Sequence, residues 1–385
     1  MKFLTTSSFL VLLGSAVTLN VENQYIVKLK AQNSFSSGGN NGLDTHLTWL
    51  DEVLAKQPKA LVASDSNKVL HKYGNLGKWF TGYAVKASAD VLEEIKKNNQ
   101  VEYVEPDGVS TTLATTWGLD RVDQRALPLN GAFNPVGNGQ GITVYVIDTG
   151  ITAGHPQFEG RASEGAFFVE SNAKDGNGHG THCAGSIASK DYGVAKKARV
   201  VGVKVLSASG SGSNSGVIAG INWVASNATP GKSVASLSLG GGKSSAVDAA
   251  VNAAAAKNIP FAVAAGNSGG VDACNASPAG ASGAYTVAAS DKNDAKASFT
   301  DLGPCVDIVA PGVGITSTWL NNGVNTISGT SMATPHVAGG FAALLSQQSF
   351  SSASAAYSAL TAKSTPGKIT GLPSNTVNKL LYVGA

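Results

Sequence analysis

Five polar residues in this 385-residue chain stand where chemistry explains them at least as well as packing does. Asp148 closes the apolar run "VYVID"; His179 and His182 lie three apart in "HGTHCAG"; Asn267 follows "FAVAAG"; Ser331 lies in "SGTSMATPHVAGG". Each has an ordinary reading alone. An Asp after a strand is commonly a turn residue, an Asn beside Gly is a common turn, and a histidine on the inner face of a helix is a satisfied core group. The histidine pair lacks the intervening Glu of H-E-x-x-H, and three cysteines cannot build a structural zinc site. If a helix starts there, His179 falls in its exposed first turn and His182 points inward. Taken together, a carboxylate, an imidazole, an amide and a hydroxyl at strand ends and helix starts supply an orienting acid, a general base, an oxyanion donor and a nucleophile. The order Asp, His, Ser is one of three unrelated orders for such a triad.

The setting of Ser331 carries its own expectation. Pro335 would break a helix interior but is tolerated in a first turn, so the segment predicts a helix beginning near Ser331 with Pro335 shaping that turn. Gly329 and Gly339 leave room for a close approach, and the helix N-terminus favours developing negative charge.

The elements that must position these residues follow from apolar runs of strand length. From about Trp117, "GITVYVID", "ARVVGVKVL", "SVASLSLG", "IPFAVAAGN", "AYTVAAS" and "CVDIVAPG" recur, with Ala-rich helical segments such as "NSGVIAGINWVASN" and "SAVDAAVNAAAAKN" between several of them. Continuous apolar strands alternating with helices predict an α/β fold with a largely parallel sheet covered on both faces, whose ligands bind beyond the carboxyl ends of the strands. Residues 21–109 differ, with more charge and fewer glycines. "NQYIVKLK" reads as a strand, "ADVLEEIKKN" as a short helix, and "QVEYVEPD" as a strand stopping at Pro106, which makes a small α+β module. The stretch from Val109 to Trp117 has no periodicity and reads as an exposed linker.

Composition narrows the classes. A net charge of +3 with scattered Lys and Arg gives no nucleic-acid footprint. A nucleotide-binding enzyme is disfavoured, because no G-x-x-x-x-G-K-[ST] loop is present and "SASGSGSNSG" does not fit G-x-G-x-x-G. The first residues carry one positive charge, an apolar stretch from about Phe3 to Leu13, and the small residues Gly14, Ser15 and Ala16, which reads as a secretory signal peptide over 1–16. No later segment is long and apolar enough to span a bilayer, so the expected product is exported and soluble. Of the three cysteines, Cys274 and Cys305 lie in loop-like sequence and Cys183 in a helix beside a histidine. The expectation is a Cys274–Cys305 disulfide with Cys183 free and buried, a pairing that sequence alone does not prove.

"VIDTGI", "HGTHCAG", "AAGN" and "GTSMATPHVAG" resemble the signature segments of subtilisin-like serine proteases, and the cysteine of "HGTHCAG" with "WGLDRV" points to the proteinase K-like branch. The resemblance covers about Trp117 to Ala385, so the catalytic domain is expected over 110–385 in a subtilisin-like three-layer fold. It implies a secreted endopeptidase in which Asp148 orients His179, His179 is base and then acid, Ser331 forms an acyl-enzyme, and Asn267 with the Ser331 N–H forms the oxyanion hole. It also implies that Ser238, Leu239 and Gly240, with Ala264, Ala265 and Gly266, wall a specificity pocket for large apolar residues. Gly210, Ser211 and Gly212 would then offer an edge strand to an extended protein or peptide substrate. An inactive homologue that only binds peptides is the rival; every chemical residue being present argues against it.

The same resemblance implies a structural calcium site at Asp307 with carbonyls of Ser282 and Ala284, against the alternative that Asp307 holds loop N–H groups. A second, C-terminal calcium site of the branch finds no acidic counterpart in "TPGKITGLPSNTV". Thr143 and Tyr285 stand where the branch's namesake carries cysteines, while Cys274 and Cys305 match a pair in other members. Residues 21–109 resemble the inhibitor propeptide of these enzymes, a ferredoxin-like module that templates folding and blocks the groove until it is cut between Val109 and Thr116. Asn227 and Asn275 open glycosylation sequons, each with a proline after the Thr or Ser. The implied product is a monomer that binds no nucleic acid and no membrane.

Overall fold

The structure, a computed structural model, describes residues 20–30, 41–56, 67–73, 81–108 and 115–385, with the backbone alone for 20–22, 41 and 108. The signal-peptide reading of 1–16 and most of the linker, 109–114, lie outside the described residues. Two compact units divide the chain, the first ending at Thr112 and the second beginning at Leu113.

In the first unit, alternate residues of a strand and one stripe of a helix meet. Strand β1 (Asn20–Leu29) points Val27 and Leu29 inward, and helix α1 (Asn41–Ala55) covers them with Leu43, Leu47 and Leu50. Then come β2 (Lys68–Tyr73), β3 (Gly82–Lys86), α2 (Ala89–Lys97) and β4 (Val101–Gly108). The sheet order is β2-β3-β1-β4 with antiparallel neighbours, the ferredoxin-like arrangement. Val91 and Ile95 of α2 close the core while Glu93 and Lys96 pair on its exposed side. One sequence expectation differs: β4 does not stop at Pro106 but pairs it with Tyr25 and runs on to Gly108. As an edge strand, β4 can spare the N–H that proline lacks.

The second unit begins with α3 (Trp117–Val122) and builds one large sheet from β5 (Thr143–Asp148), β6 (Ala162–Phe167), β7 (Arg199–Lys204), β8 (Ser233–Leu237), β10 (Phe261–Ala264), β12 (Tyr285–Ser290), β13 (Ile308–Pro311), β16 (Thr365–Pro366) and β17 (Lys379–Leu380). Its order is β16-β17-β13-β12-β10-β8-β5-β7-β6, parallel throughout except for the edge pair β16–β17. Two short ladders join β9 (Gly241–Gly242) to β11 (Ala276–Ser277) and β14 (Ile315–Thr318) to β15 (Val324–Ile327). Period-two alternation sends β5 side chains to opposite cores. Val144 and Val146 join Cys183, Ile187, Val337 and Phe341 of helices α4 (His179–Ala188) and α7 (Thr330–Gln347). Tyr145 and Ile147 join Val217, Ile221, Val247 and Val251 of α5 (Asn214–Asn227) and α6 (Ser245–Ala255). Helix α8 (Ala353–Lys363) packs beside α7 through Ala356 and Leu360.

One disulfide and one aromatic cluster tie elements of the second unit together. Cys274 and Cys305 are bonded, and Cys183 is free and buried. Tyr285 packs against Phe341 and Tyr357 with ring centroids 5.1 Å away in each case, and its hydroxyl meets Thr361 Oγ1 at 2.6 Å. Aromatic packing of this kind adds about 0.5–1.5 kcal/mol per pair beyond the area buried.

Candidate active site

Strand order reverses around β5, since β6 and β7 lie on one side of it and β8 on the other. Loops leaving the carboxyl ends therefore part there and leave a crevice. Asp148 ends β5, Ser238 follows β8, and Asn267 follows β10 by three residues. Helices α4 and α7 bring His179 and Ser331 to the same end, as the first and second residues of their helices.

Asp148 is fully buried, and its two oxygens lie 2.8 and 3.0 Å from His179 Nδ1; Oδ1 also accepts the Thr149 N–H at 2.7 Å. Burial works against the imidazolium of His179, but the Asp148 carboxylate outweighs it by charge and hydrogen bond, so the pKa stands well above the ordinary 6.5. This closeness is possible because residue 180 is glycine: a Cβ there would lie 2.1 Å from Gly150 O and 3.2 Å from Asp148 Cβ. His182 is fully buried, as the sequence reading expects, and meets Ile315 O at 3.0 Å; burial lowers its pKa to about 4.

Ser331 Oγ donates to Ser238 O at 3.0 Å, so its proton is engaged by that carbonyl in this rotamer. The helix starts at Thr330, which puts Pro335 one turn deeper than the first turn expected for it. Pro335 has no N–H to give to the carbonyl of Ser331, four residues back. That carbonyl instead accepts from Ser238 Oγ at 2.9 Å and from the Cys183 thiol at 3.4 Å. Cys183 Sγ also lies 3.9 Å from His179 Nδ1, and burial pushes its own pKa up, so it sits between the two helices as a neutral thiol. Asp148, His179 and Cys183 form the one potential metal-binding cluster among the described residues.

Asn267 Oδ1 accepts from Thr330 N at 2.8 Å and Thr330 Oγ1 at 2.9 Å. Two donors on one atom identify it as the oxygen, which leaves Nδ2 as a donor beside Gly329. The turn behind Asn267 is held by Asp301, whose Oδ1 accepts from Ser268 N and Val271 N, and Gly266 has φ 117° with Asp301 Oδ2 where a Cβ would stand.

A cleft of about 430 Å³ opens beside His179. Gly210, Ser211 and Gly212 line it together with Ser238, Leu239 and Gly240, and Leu206, Val217 and Val247 contribute apolar surface. Gly210–Gly212 form no strand; Ser207 N donates to Ser211 O across a turn and the segment is exposed. Ala264 and Ala265 are buried behind Asn267 and, like Gly266, stand outside the lining of that cleft. Away from the site, Asp307 Oδ2 accepts Thr286 N at 2.7 Å just after Ser282 and Ala284, and burial raises its pKa to about 6.

Several residues of this site carry no sequence signal strong enough to find them. Asp175, in "KDGNG", reads as a turn residue, yet it gathers backbone and side-chain donors on both sides of His179. Lys204, fully buried, binds Thr149 O and Leu206 O and pairs with Glu170. A lysine ending an apolar strand is the available signal for it.

The sequence profile of the subtilase family matches residues 139–379, and that of peptidase inhibitor I9 matches residues 24–112. A cuticle-degrading serine protease of Arthrobotrys oligospora is 43% identical over 94% of this chain and 91% of its own length. Alkaline serine exoprotease A of Vibrio alginolyticus is 46% identical over 78% of this chain, which spans 58% of that longer protein. Among solved structures, a cold adapted subtilisin-like serine proteinase superposes with a TM-score of 0.68 at 48% identity, covering 71% of this chain and 99% of the other. Sequence profile, relatives and superposed fold agree with a hydroxyl, an imidazole and a buried carboxylate at one sheet end: the chain belongs to the subtilase family and is a subtilisin-like serine protease preceded by an inhibitor unit.

Proposed function

We propose that Asp148, His179 and Ser331 form the catalytic triad of a secreted endopeptidase. The observation that carries this reading is His179 Nδ1 held 2.8 Å from a fully buried carboxylate, which directs Nε2 to take a proton from its neighbours. When substrate enters, Ser331 Oγ turns from Ser238 O to His179 Nε2, attacks the peptide carbonyl carbon and passes its proton to the imidazole. The oxyanion accepts from Asn267 Nδ2 and the Ser331 N–H. His179 then protonates the departing amine, and a water activated by the same imidazole releases the acyl group from Ser331.

Leu206, Val217, Leu239 and Val247 around the cleft favour broad selectivity for apolar side chains, with Ser238–Gly240 as a pocket wall and Gly210–Gly212 pairing with the substrate backbone. Residues 21–109 act as the inhibitor propeptide, residues 110–385 as the enzyme, and residues 1–16 as the export signal. The likeness to a cuticle-degrading serine protease of Arthrobotrys oligospora supports an extracellular setting.

Calcium at Asp307 fits the residues present. Its carboxylate is desolvated enough to stand near pKa 6 and holds one backbone N–H, so an oxygen-seeking divalent cation would relieve it. Asp307 would bind with carbonyls of Ser282 and Ala284, and the ion would cross-link the start of β12 to β13.

The deciding experiment compares intact masses of wild type and Ser331→Ala secreted from a protease-deficient host. Wild type appearing as a chain that starts between Val109 and Thr116, with the variant uncut, supports self-processing. Both remaining uncut overturns the reading in favour of a peptide-binding homologue, and equal cutting moves the decision to peptide hydrolysis by each product.

A further inference from the structure

Five hydrogen bonds end on one carboxylate, that of Asp175, four residues before His179. Its Oδ1 accepts from Asn177 N at 2.9 Å, Gly178 N at 2.8 Å and Thr149 Oγ1 at 2.9 Å. Its Oδ2 accepts from Thr181 N at 2.9 Å and Thr181 Oγ1 at 2.6 Å. Three of these donors belong to the backbone immediately around His179, and a fourth belongs to the residue that follows Asp148. Thr149 Oγ1 completes a loop by accepting Gly180 N at 2.9 Å. Gly150, with φ 101°, lets the chain at Ala173–Asp175 come close enough, since a Cβ there would lie 2.5 Å from Ala173 O.

Capping the helix would require one or two of these bonds; the bond from Thr149 reaches beyond the helix to the residue that follows Asp148. It ties the end of β5 to the start of α4, the two elements whose separation sets the Asp148–His179 distance. We propose that Asp175 is a positioning residue that fixes the Asp148 carboxylate against the His179 ring, acting through Thr149 and the 177–181 backbone. The proposal rests on the Asp148–His179 pairing given above as part of the catalytic reading. Asp175 touches no reacting atom; its work is to hold the acid and the base in register.

The test is a double-mutant cycle on the His179 titration, followed by imidazole NMR in the full-length Ser331→Ala chain so that no self-cutting intervenes. Asp175→Asn presents an N–H₂ group where donors converge and frees one of the two anchored elements. With Asp148 present, it should lower the His179 pKa by about half a unit or more beyond the shift it causes in an Asp148→Asn chain. Losing the charge of Asp175 lowers the pKa in both backgrounds and cancels in the cycle. Thr149→Val, which removes the link without changing charge, should give the same sign of coupling and decides the matter where Asp175→Asn does not fold. Shifts that simply add overturn the proposal while leaving the pairing intact. A His179 pKa unmoved by Asp148→Asn overturns the pairing, and the proposal with it.

Discussion

Ser238→Ala tests how this chain accommodates a proline inside the 18-residue helix α7. Fifteen of the eighteen residues of α7 are buried, and Pro335 leaves the Ser331 carbonyl without its helical donor. Ser238 Oγ at 2.9 Å is the strong replacement and the Cys183 thiol at 3.4 Å the weak one. A buried carbonyl stripped of its partner costs about 1–3 kcal/mol, and the remaining thiol places Ser238→Ala at about 1–2 kcal/mol. For a domain of this size that is a fall of about 2–8 °C in the melting temperature of the second unit. The measurement is thermal or urea unfolding of the full-length chain in a Ser331→Ala background, which retains the carbonyl and removes self-cutting. The decisive comparison adds Pro335→Ala, because residue 335 then carries an N–H for the carbonyl of residue 331. The cost of Ser238→Ala should shrink to below about 0.5 kcal/mol in that background, as close neighbours sharing one acceptor do not add. An equal cost with and without Pro335 would refute the reasoning.

If His179 is the general base proposed above, its active form is the neutral imidazole, and kcat/KM should rise with pH through a value above 6.5, read from a pH–rate profile. Any stability tied to its imidazolium is present below pH 6.5 and fades as pH rises through the folded pKa, so the enzyme works where that contribution is being lost. His182 and His336 behave oppositely: burial holds both near pKa 4, so the unfolded chain binds more protons between pH 6.5 and 4. Unfolding free energy should therefore drop by up to about 3 kcal/mol per histidine across that window, and His336→Gln should flatten the slope seen by urea unfolding. Chelator should lower the melting temperature of the second unit in wild type and leave an Asp307→Asn chain unchanged; equal sensitivity in both would remove calcium from Asp307. Gly180→Ala, with its Cβ 2.1 Å from Gly150 O, should cost more than about 3 kcal/mol or abolish processing, measured as yield of the mature chain.

Much of the scaffold was legible because periodicity reports burial. Continuous apolar runs gave β5, β7, β8, β10, β12 and β13 their places in a covered parallel sheet, and "NSGVIAGINWVASN" became α5 over the same residues. Two boundaries went otherwise, both at prolines. Pro106 did not stop β4, because an edge strand can lack an N–H, and Pro335 did not stay in a first turn, because Ser238 and Cys183 took over the stranded carbonyl. A proline's local rule can be overridden by a partner far away in sequence, and no window around the proline contains that partner.

The sequence by itself determined which residue types could do chemistry and the element on which each sits: a carboxylate at a strand end, an imidazole and a hydroxyl at helix starts, an amide after a strand. It also held the free cysteine apart from the two in loops. Only the tertiary structure decided that Asp148 and His179, thirty-one residues apart, meet at 2.8 Å, that Asn267 presents its N–H₂ rather than its oxygen, that Asp175 gathers donors from both Thr149 and the 177–181 segment, and that Ser238 donates to the Ser331 carbonyl. Those outcomes depend on which strands neighbour one another at the reversal of strand order and on who donates to whom across the gap. Side-chain type and spacing restrict such partners, but distance and direction in three dimensions select them.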